Sequence, residues 1–272
     1  MQADKKTGFV GAGNMATALI KGLIESGVYP PDRLVASDKD RGKLKRLQSE
    51  YGIKGADSNA EMIRECSIVL LCVKPQNMRE VLKEIKEVIH KDHLIISIAA
   101  GIPLGMIGGV LGPGLPLIRV MPNTPALVQQ GVSALARGDH ATPEHMEEAR
   151  RIFGAVGDTV DVKEELMDAV TALSGSGPGY VFRIMECMVN AGVSVGLEEE
   201  TALRLVVQTF LGAAYLAKDS TESLASLRQM VTSPGGTTAA GLATFDKMGL
   251  KEMVASAIKA AWERSVELGK GV

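Results

Sequence analysis

Through the first half of the chain, short apolar runs alternate with charged stretches of helical length. Residues 8–10, 34–36, 68–73, 94–98 and 117–120 are apolar almost without interruption. That is the pattern of parallel strands buried on both faces, rather than of strands with one wet face. Residues 41–51, 59–64 and 78–89 lie between them and read as helices. Strand and helix in alternation predict an α/β unit, a doubly wound sheet with right-handed crossovers.

Near Lys163 the strand signals stop and helical periodicity takes over. Val181, Ile184, Met185, Met188 and Val189 recur at helical spacing after Pro178, a residue suited to a helix start. Leu203, Val206, Val207, Phe210 and Leu211 repeat the pattern, and Leu205, Ala213, Ala214 and Leu216 widen its apolar face. Either stripe alone is an ordinary core helix. A helix apolar on several sides must be buried on several sides, which a small domain cannot do by itself, so a second copy of the chain is expected to cover it. The expected domains are residues 1–163, an α/β nucleotide-binding unit, and residues 164–272, an all-α unit for substrate binding and dimerisation.

Composition adds bounds. A chain of 272 residues with 46% hydrophobic content can build two cores. A net charge of -2 gives no reason to expect a nucleic-acid partner. Cys66, Cys72 and Cys187 have no paired spacing and read as reduced, buried packing in a cytoplasmic protein without a signal peptide. Residues 94–118 carry no charge over 25 positions, long enough to cross a bilayer, but hold six glycines and three prolines. They read as a buried strand followed by loops, and no membrane association is expected.

The candidate chemistry begins at the first strand. Gly11, Gly13 and Ala16 fit G-x-G-x-x-G/A directly after an apolar strand and before a helix. The first glycine permits a tight turn, the second lets backbone approach a pyrophosphate, and the small third residue lets helix pack on strand. This makes the predicted sheet Rossmann-type. At the end of the second strand, Asp38 would accept a ribose hydroxyl and favour NAD, whereas Ser37, Lys39 and Arg41 would hold a 2′-phosphate and favour NADP. Both readings stand at this point.

Residues 73–76, 97–101 and 121–125 form three further loops at the carboxyl ends of predicted strands, where ligands bind in such sheets. Each is compatible with turn chemistry alone, but three at one edge exceed what turns require. In the helical half, residues 174–178 and 232–238 each precede a helix. The second, rich in hydroxyls and glycines, is an anion-site candidate as well as a Ser-Pro helix cap. His90, His93, His140 and His145 are expected at the surface, and no catalytic-triad or metal-ligand spacing is present.

Together, the stretches 11–15, 73–75, 97–101, 121–125, 174–178 and 232–238 resemble pyrroline-5-carboxylate reductases over nearly the whole chain, in matching order. The resemblance implies reduction of L-1-pyrroline-5-carboxylate to L-proline with NADP(H) or NAD(H), and assembly as a dimer or a ring of dimers. It places Gly11, Ala12, Gly13, Asn14 and Met15 on the pyrophosphate, with Ser37 and Asn59 near the adenosine ribose. Val73, Lys74, Pro75, Ala99 and Ala100 would line the nicotinamide side. Ser233, Gly235, Gly236 and Thr237 would hold the substrate carboxylate, with Thr238 beside the imine nitrogen as the catalytic hydroxyl. Gly179 follows Pro178 where the family pattern leads one to expect alanine. A β-hydroxyacid dehydrogenase shares the two-domain plan, but it requires a lysine on the first interdomain helix, which residues 180–192 lack.

Overall fold

The computed structural model describes residues 6–270. By packing, the chain forms two compact units: residues up to 176 together with those from 261 onward, and residues 177–260. Packing thus divides the chain at 176/177 rather than at 163/164, and assigns the end of the last helix to the first unit.

The first unit is an eight-stranded sheet in the order β3-β2-β1-β4-β5-β6-β7-β8. Its strands are β1 (Thr7–Val10), β2 (Leu34–Ser37), β3 (Lys54–Gly55), β4 (Ile68–Leu71), β5 (Leu94–Ser97), β6 (Leu117–Met121), β7 (Gly131–Arg137) and β8 (Gly157–Asp161). All neighbours are parallel except β6 and β7. Its helices are α1 (Asn14–Glu25), α2 (Arg41–Tyr51), α3 (Asn59–Glu65), α4 (Met78–Ile85), α5 (Leu104–Leu111), α6 (Pro143–Gly154) and the single turn α7 (Met167–Val170).

The continuous apolar runs do bury both faces. Phe9, Leu34, Ile68, Leu70, Leu94 and Ile96 point into one core with α1, α2 and α6. Their neighbours Val10, Val35, Val69, Leu71 and Ile95 point into the other, with α3, α4 and α5. Each fully buried aliphatic side chain contributes about 1.5–3 kcal/mol of transfer free energy. Helix starts follow local capping: Asp40 accepts from the N–H groups of Gly42 and Lys43, and Ser58 from that of Glu61.

Several expectations need correction. Residues 94–118 are not a strand followed only by loops, because α5 forms within them. Its glycines are tolerated because Leu104, Ile107 and Leu111 bury one face. Strands β3, β7 and β8 were not foreseen: β3 has two residues, β7 is rich in alanine, and β8 is largely polar. His93 is buried rather than exposed, its ring within 3.3 Å of the Ile63 carbonyl, and burial lowers its pKa. Cys66 is buried, but Cys72 is only partly so and Cys187 is exposed.

The second unit is helical: α8 (Gly177–Ser194), α9 (Glu199–Asp219), α10 (Leu224–Met230), α11 (Thr237–Lys247) and the start of α12 (Leu250–Lys270). Val189, Ala202 and Val206 form its small core, with Met185 and Phe210 packed against it. The remaining apolar face of α9 is open, with Leu203 50% and Leu205 54% exposed and Leu211 and Leu216 similarly so. Among the described residues, no helix is long and apolar enough to cross a membrane.

The packing of α1 yields a stability prediction. A Cβ at Gly22 would lie 2.5 Å from Val156 Cγ1 and 2.7 Å from the Ala155 carbonyl oxygen. Alanine gains up to ~1 kcal/mol of helix propensity over glycine, but overpacking against backbone costs about 1–3 kcal/mol. Gly22→Ala should therefore lower the thermal unfolding midpoint. An unchanged or raised midpoint would contradict this close approach.

Candidate active site

The sheet order reverses between β1 and β4, so consecutive crossovers leave in opposite directions and open a crevice at the carboxyl ends of the strands. The turn after β1 enters it. Gly11 has φ +105, and its N–H donates to the Ser37 carbonyl at 2.8 Å. A Cβ there would stand 2.7 Å from the Cys72 carbonyl oxygen, so conformation and space both demand glycine. Gly13 is different: its φ is -76 and a Cβ would meet nothing within 4 Å. The protein does not itself fill the space above this backbone.

Helix α1 starts on Gly13 with no side-chain cap and no acidic residue in its first turn. By contrast, α2, α3, α6 and α10 are capped by Asp40, Ser58, Thr142 and Ser223. Helices α4, α5 and α9 lack a side-chain cap as well, so what sets α1 apart is the glycine turn at the crevice from which it starts. A dinucleotide pyrophosphate fits this arrangement, with Ala12 buried beneath the turn, Met15 half-buried and Asn14 exposed. Ala16, 1% exposed, lets α1 sit close to the sheet.

A crevice of about 340 Å³ brings Gly11, Gly13, Ser37, Asn59, Val73 and Lys74 together. Buried Ser37 donates through Oγ to Asn59 Oδ1 at 2.6 Å, and Asn59 Nδ2 donates to Glu84 at 3.0 Å. Asp38 lines the same crevice; its carboxylate accepts from the Ala12 N–H and the Asp40 N–H, both at 2.7 Å. Burial pushes the Cys72 thiol well above its ordinary pKa, so it is a protonated neighbour of the turn rather than a nucleophile.

Pro75 opens a 3-10 turn, Pro75–Asn77, directly after Lys74. Ala99 and Ala100 follow β5 and do not line the crevice itself; Ala99 is buried and Ala100 half-buried. Their loop is fixed by contacts that the sequence reading missed. The Ser97 hydroxyl accepts from the Ala99 N–H at 3.4 Å, and Glu164 accepts from the Leu104 N–H at 2.6 Å. Arg119, 6% exposed on β6, reaches Glu164 at 3.6 Å and Asp168 at 3.9 Å, and Ser265 donates to Asp168 at 2.7 Å. A lone arginine within an apolar strand was the available signal. Asn123 likewise binds structure to structure: its Oδ1 accepts from the Val132 N–H and its Nδ2 donates to the Ser174 carbonyl.

In the helical unit, residues 233–238 form a second glycine turn that leads into a helix. Gly235 has φ +68, and the Gly236 N–H donates to the Ser233 carbonyl at 3.0 Å. A side chain on Gly236 would run into Ser233. Helix α11 begins on Gly236 without a side-chain cap, as α1 begins on Gly13. Ser233, Gly235, Thr237 and Thr238 are all exposed, and Gly236 is half-buried. The bare N-terminus and turn fit a carboxylate.

Comparison with known proteins matches two stretches of the chain. Residues 164–268 match the family described as pyrroline-5-carboxylate reductase dimerisation, and residues 6–101 match the one described as NADP oxidoreductase, coenzyme F420-dependent. The pyrroline-5-carboxylate reductase of Methanosarcina acetivorans is 44% identical, covering 98% of this chain and 99% of that protein. The chain belongs to the pyrroline-5-carboxylate reductase family. The Pseudomonas aeruginosa family member is 43% identical, covering 96% of each chain. The structure of the Coxiella burnetii reductase superposes with a TM-score of 0.93 at 36% identity, covering 97% of this chain and 98% of that one. That of the Plasmodium falciparum reductase with NADP bound superposes at 0.88 and 32%, covering 98% of each. The dimerisation match shows that the chain self-associates.

Gly13→Val tests the dinucleotide cradle. Because the protein leaves room for the new side chain, the variant should keep its unfolding midpoint. It should lose dinucleotide affinity by at least about a hundredfold, since the side chain would occupy the pyrophosphate position. Unchanged affinity by calorimetric titration would remove Gly13 from the site.

Proposed function

We propose that the protein reduces L-1-pyrroline-5-carboxylate to L-proline with a reduced nicotinamide dinucleotide, as the final step of proline biosynthesis in the cytoplasm. The observation that carries this reading is that one chain, matching the reductases end to end, holds two helices begun on uncapped glycine turns. One turn suits a pyrophosphate, the other a small carboxylate.

In this reading Gly11, Ala12, Gly13, Asn14 and Met15 receive the pyrophosphate, and Ser37 and Asn59 the adenosine ribose. Val73, Lys74, Pro75, Ala99 and Ala100 flank the nicotinamide. Ser233, Gly235, Gly236 and Thr237 hold the substrate carboxylate through N–H and hydroxyl groups, which fixes the ring and presents its imine carbon. The bound dinucleotide supplies the hydride. Thr238 stands beside the imine nitrogen, where its hydroxyl orients or relays the proton that the nitrogen carries into the product amine. A protonated cyclic imine is already strongly electrophilic, so the step needs no histidine or lysine as a strong acid.

The helical domain, taken functionally from residue 164, pairs with a second copy through the apolar faces of its helices. In the resulting dimer, or ring of dimers, the 233–238 turn of one subunit completes the site on the nucleotide turn of the other. The β-hydroxyacid dehydrogenase reading is disfavoured because α8 carries no lysine, and its one arginine, Arg183, is paired with Glu186 at 3.1 Å. A nucleotide sensor without turnover would have no use for the second cradle.

Purified protein should consume reduced nicotinamide and L-1-pyrroline-5-carboxylate one for one, yielding proline. Thr238→Ala should lower kcat roughly 10²-fold, the low end of general acid–base effects, with dinucleotide affinity nearly intact. Absence of imine-dependent oxidation in the wild type would reject the activity, and wild-type turnover in the variant would remove Thr238 from the mechanism.

A further inference from the structure

The charges around the adenosine-ribose end of the crevice are already committed. The Asp38 carboxylate is fixed by two backbone N–H groups, from Ala12 and Asp40, and faces the crevice with both oxygens so held. Lys39 and Lys43 line the same crevice, Arg41 lies close in sequence, and each of the three has a carboxylate partner. Lys39 pairs with Glu80 at 2.7 Å, Arg41 with Asp57 at 3.1 Å, and Lys43 with Asp40 at 3.7 Å. The neutral donors are engaged too: the Ser37 hydroxyl donates to Asn59, and the Asn59 amide to Glu84.

A ribose with free 2′ and 3′ hydroxyls brings donors to an acceptor carboxylate. A ribose 2′-phosphate brings negative charge and further acceptors to the same place. We propose that Asp38 sets the coenzyme preference of this reductase, favouring NADH over NADPH by accepting the adenosine-ribose hydroxyls and opposing a 2′-phosphate. The proposal rests on the reductase reading above.

The preference is a ratio and not an exclusion. The Lys39–Glu80 pair is exposed, with side chains 73% and 67% accessible. Exposed pairs hold weakly, so a 2′-phosphate can draw Lys39 away from Glu80. Like-charge juxtaposition, partly offset in this way, corresponds to a discrimination of roughly ten- to a hundredfold.

The test measures dissociation constants for NADH and NADPH by nicotinamide fluorescence, with no imine present, alongside kcat/KM for each coenzyme. The wild type should bind NADH the more tightly. Asp38→Asn, which keeps the side chain's shape and removes its charge, should narrow or invert the ratio by about tenfold, chiefly through tighter NADPH binding. Glu80→Gln, on the exposed partner, should release Lys39 and narrow the ratio from the other side without depending on the turn. Equal binding of the two coenzymes by the wild type, a preference for NADPH, or a ratio unmoved by Asp38→Asn would overturn the proposal. Binding of neither coenzyme by the wild type would reject the reductase reading itself.

Discussion

The carbonyl of Cys72 and the backbone of Gly11 approach so closely that no side chain fits between them. The site is arranged around that contact. It holds the end of β1 against the end of β4 at the point where the sheet order reverses. It also forces the chain through a left-handed glycine before α1 begins. Helix α1 then starts without a side-chain cap, and the Ala12 N–H reaches across to Asp38, just past the end of β2. One tight turn thus places three strand ends, a helix N-terminus and the ribose-side carboxylate in register.

The second unit solves a different problem. Its core is small, and α9 carries more apolar surface than α8 covers. The match to the dimerisation family shows that the chain self-associates. In the proposed reading this unit also carries the turn that holds the substrate carboxylate, so completion of the site would depend on assembly.

What could be read from sequence follows from where a local signal coincides with the structural cause. Helix α2 was legible residue for residue because Asp40 caps it and Gly52, at φ +70, ends it. The five apolar runs were legible because burial on both faces leaves few polar positions, Ser97 and Arg119 among them, to confuse the period. Strand β8 was not, since it lies at the sheet edge and its residues are mostly polar. Helix α5 was hidden by its glycines. Gly11 and Gly13 both declared themselves through spacing, and the structure tells them apart: Gly11 packs against the Cys72 carbonyl, whereas Gly13 faces open space. The roles of Arg119, Glu164 and Asp168 depend on elements far apart in the chain meeting at one buried charge, so they appear only once the fold is known.

The central claim is that the nucleotide turn of one subunit and the 233–238 turn of its partner make one reduction site. Mixing Gly13→Val and Thr238→Ala subunits under conditions of proven exchange tests it directly. Hybrid dimers would carry one site built from two intact halves and one built from two impaired halves. Random pairing of equal amounts should then restore about a quarter of wild-type activity. Activity no greater than the average of the separate variants, despite exchange, would show that each subunit builds its site alone and contradict the account.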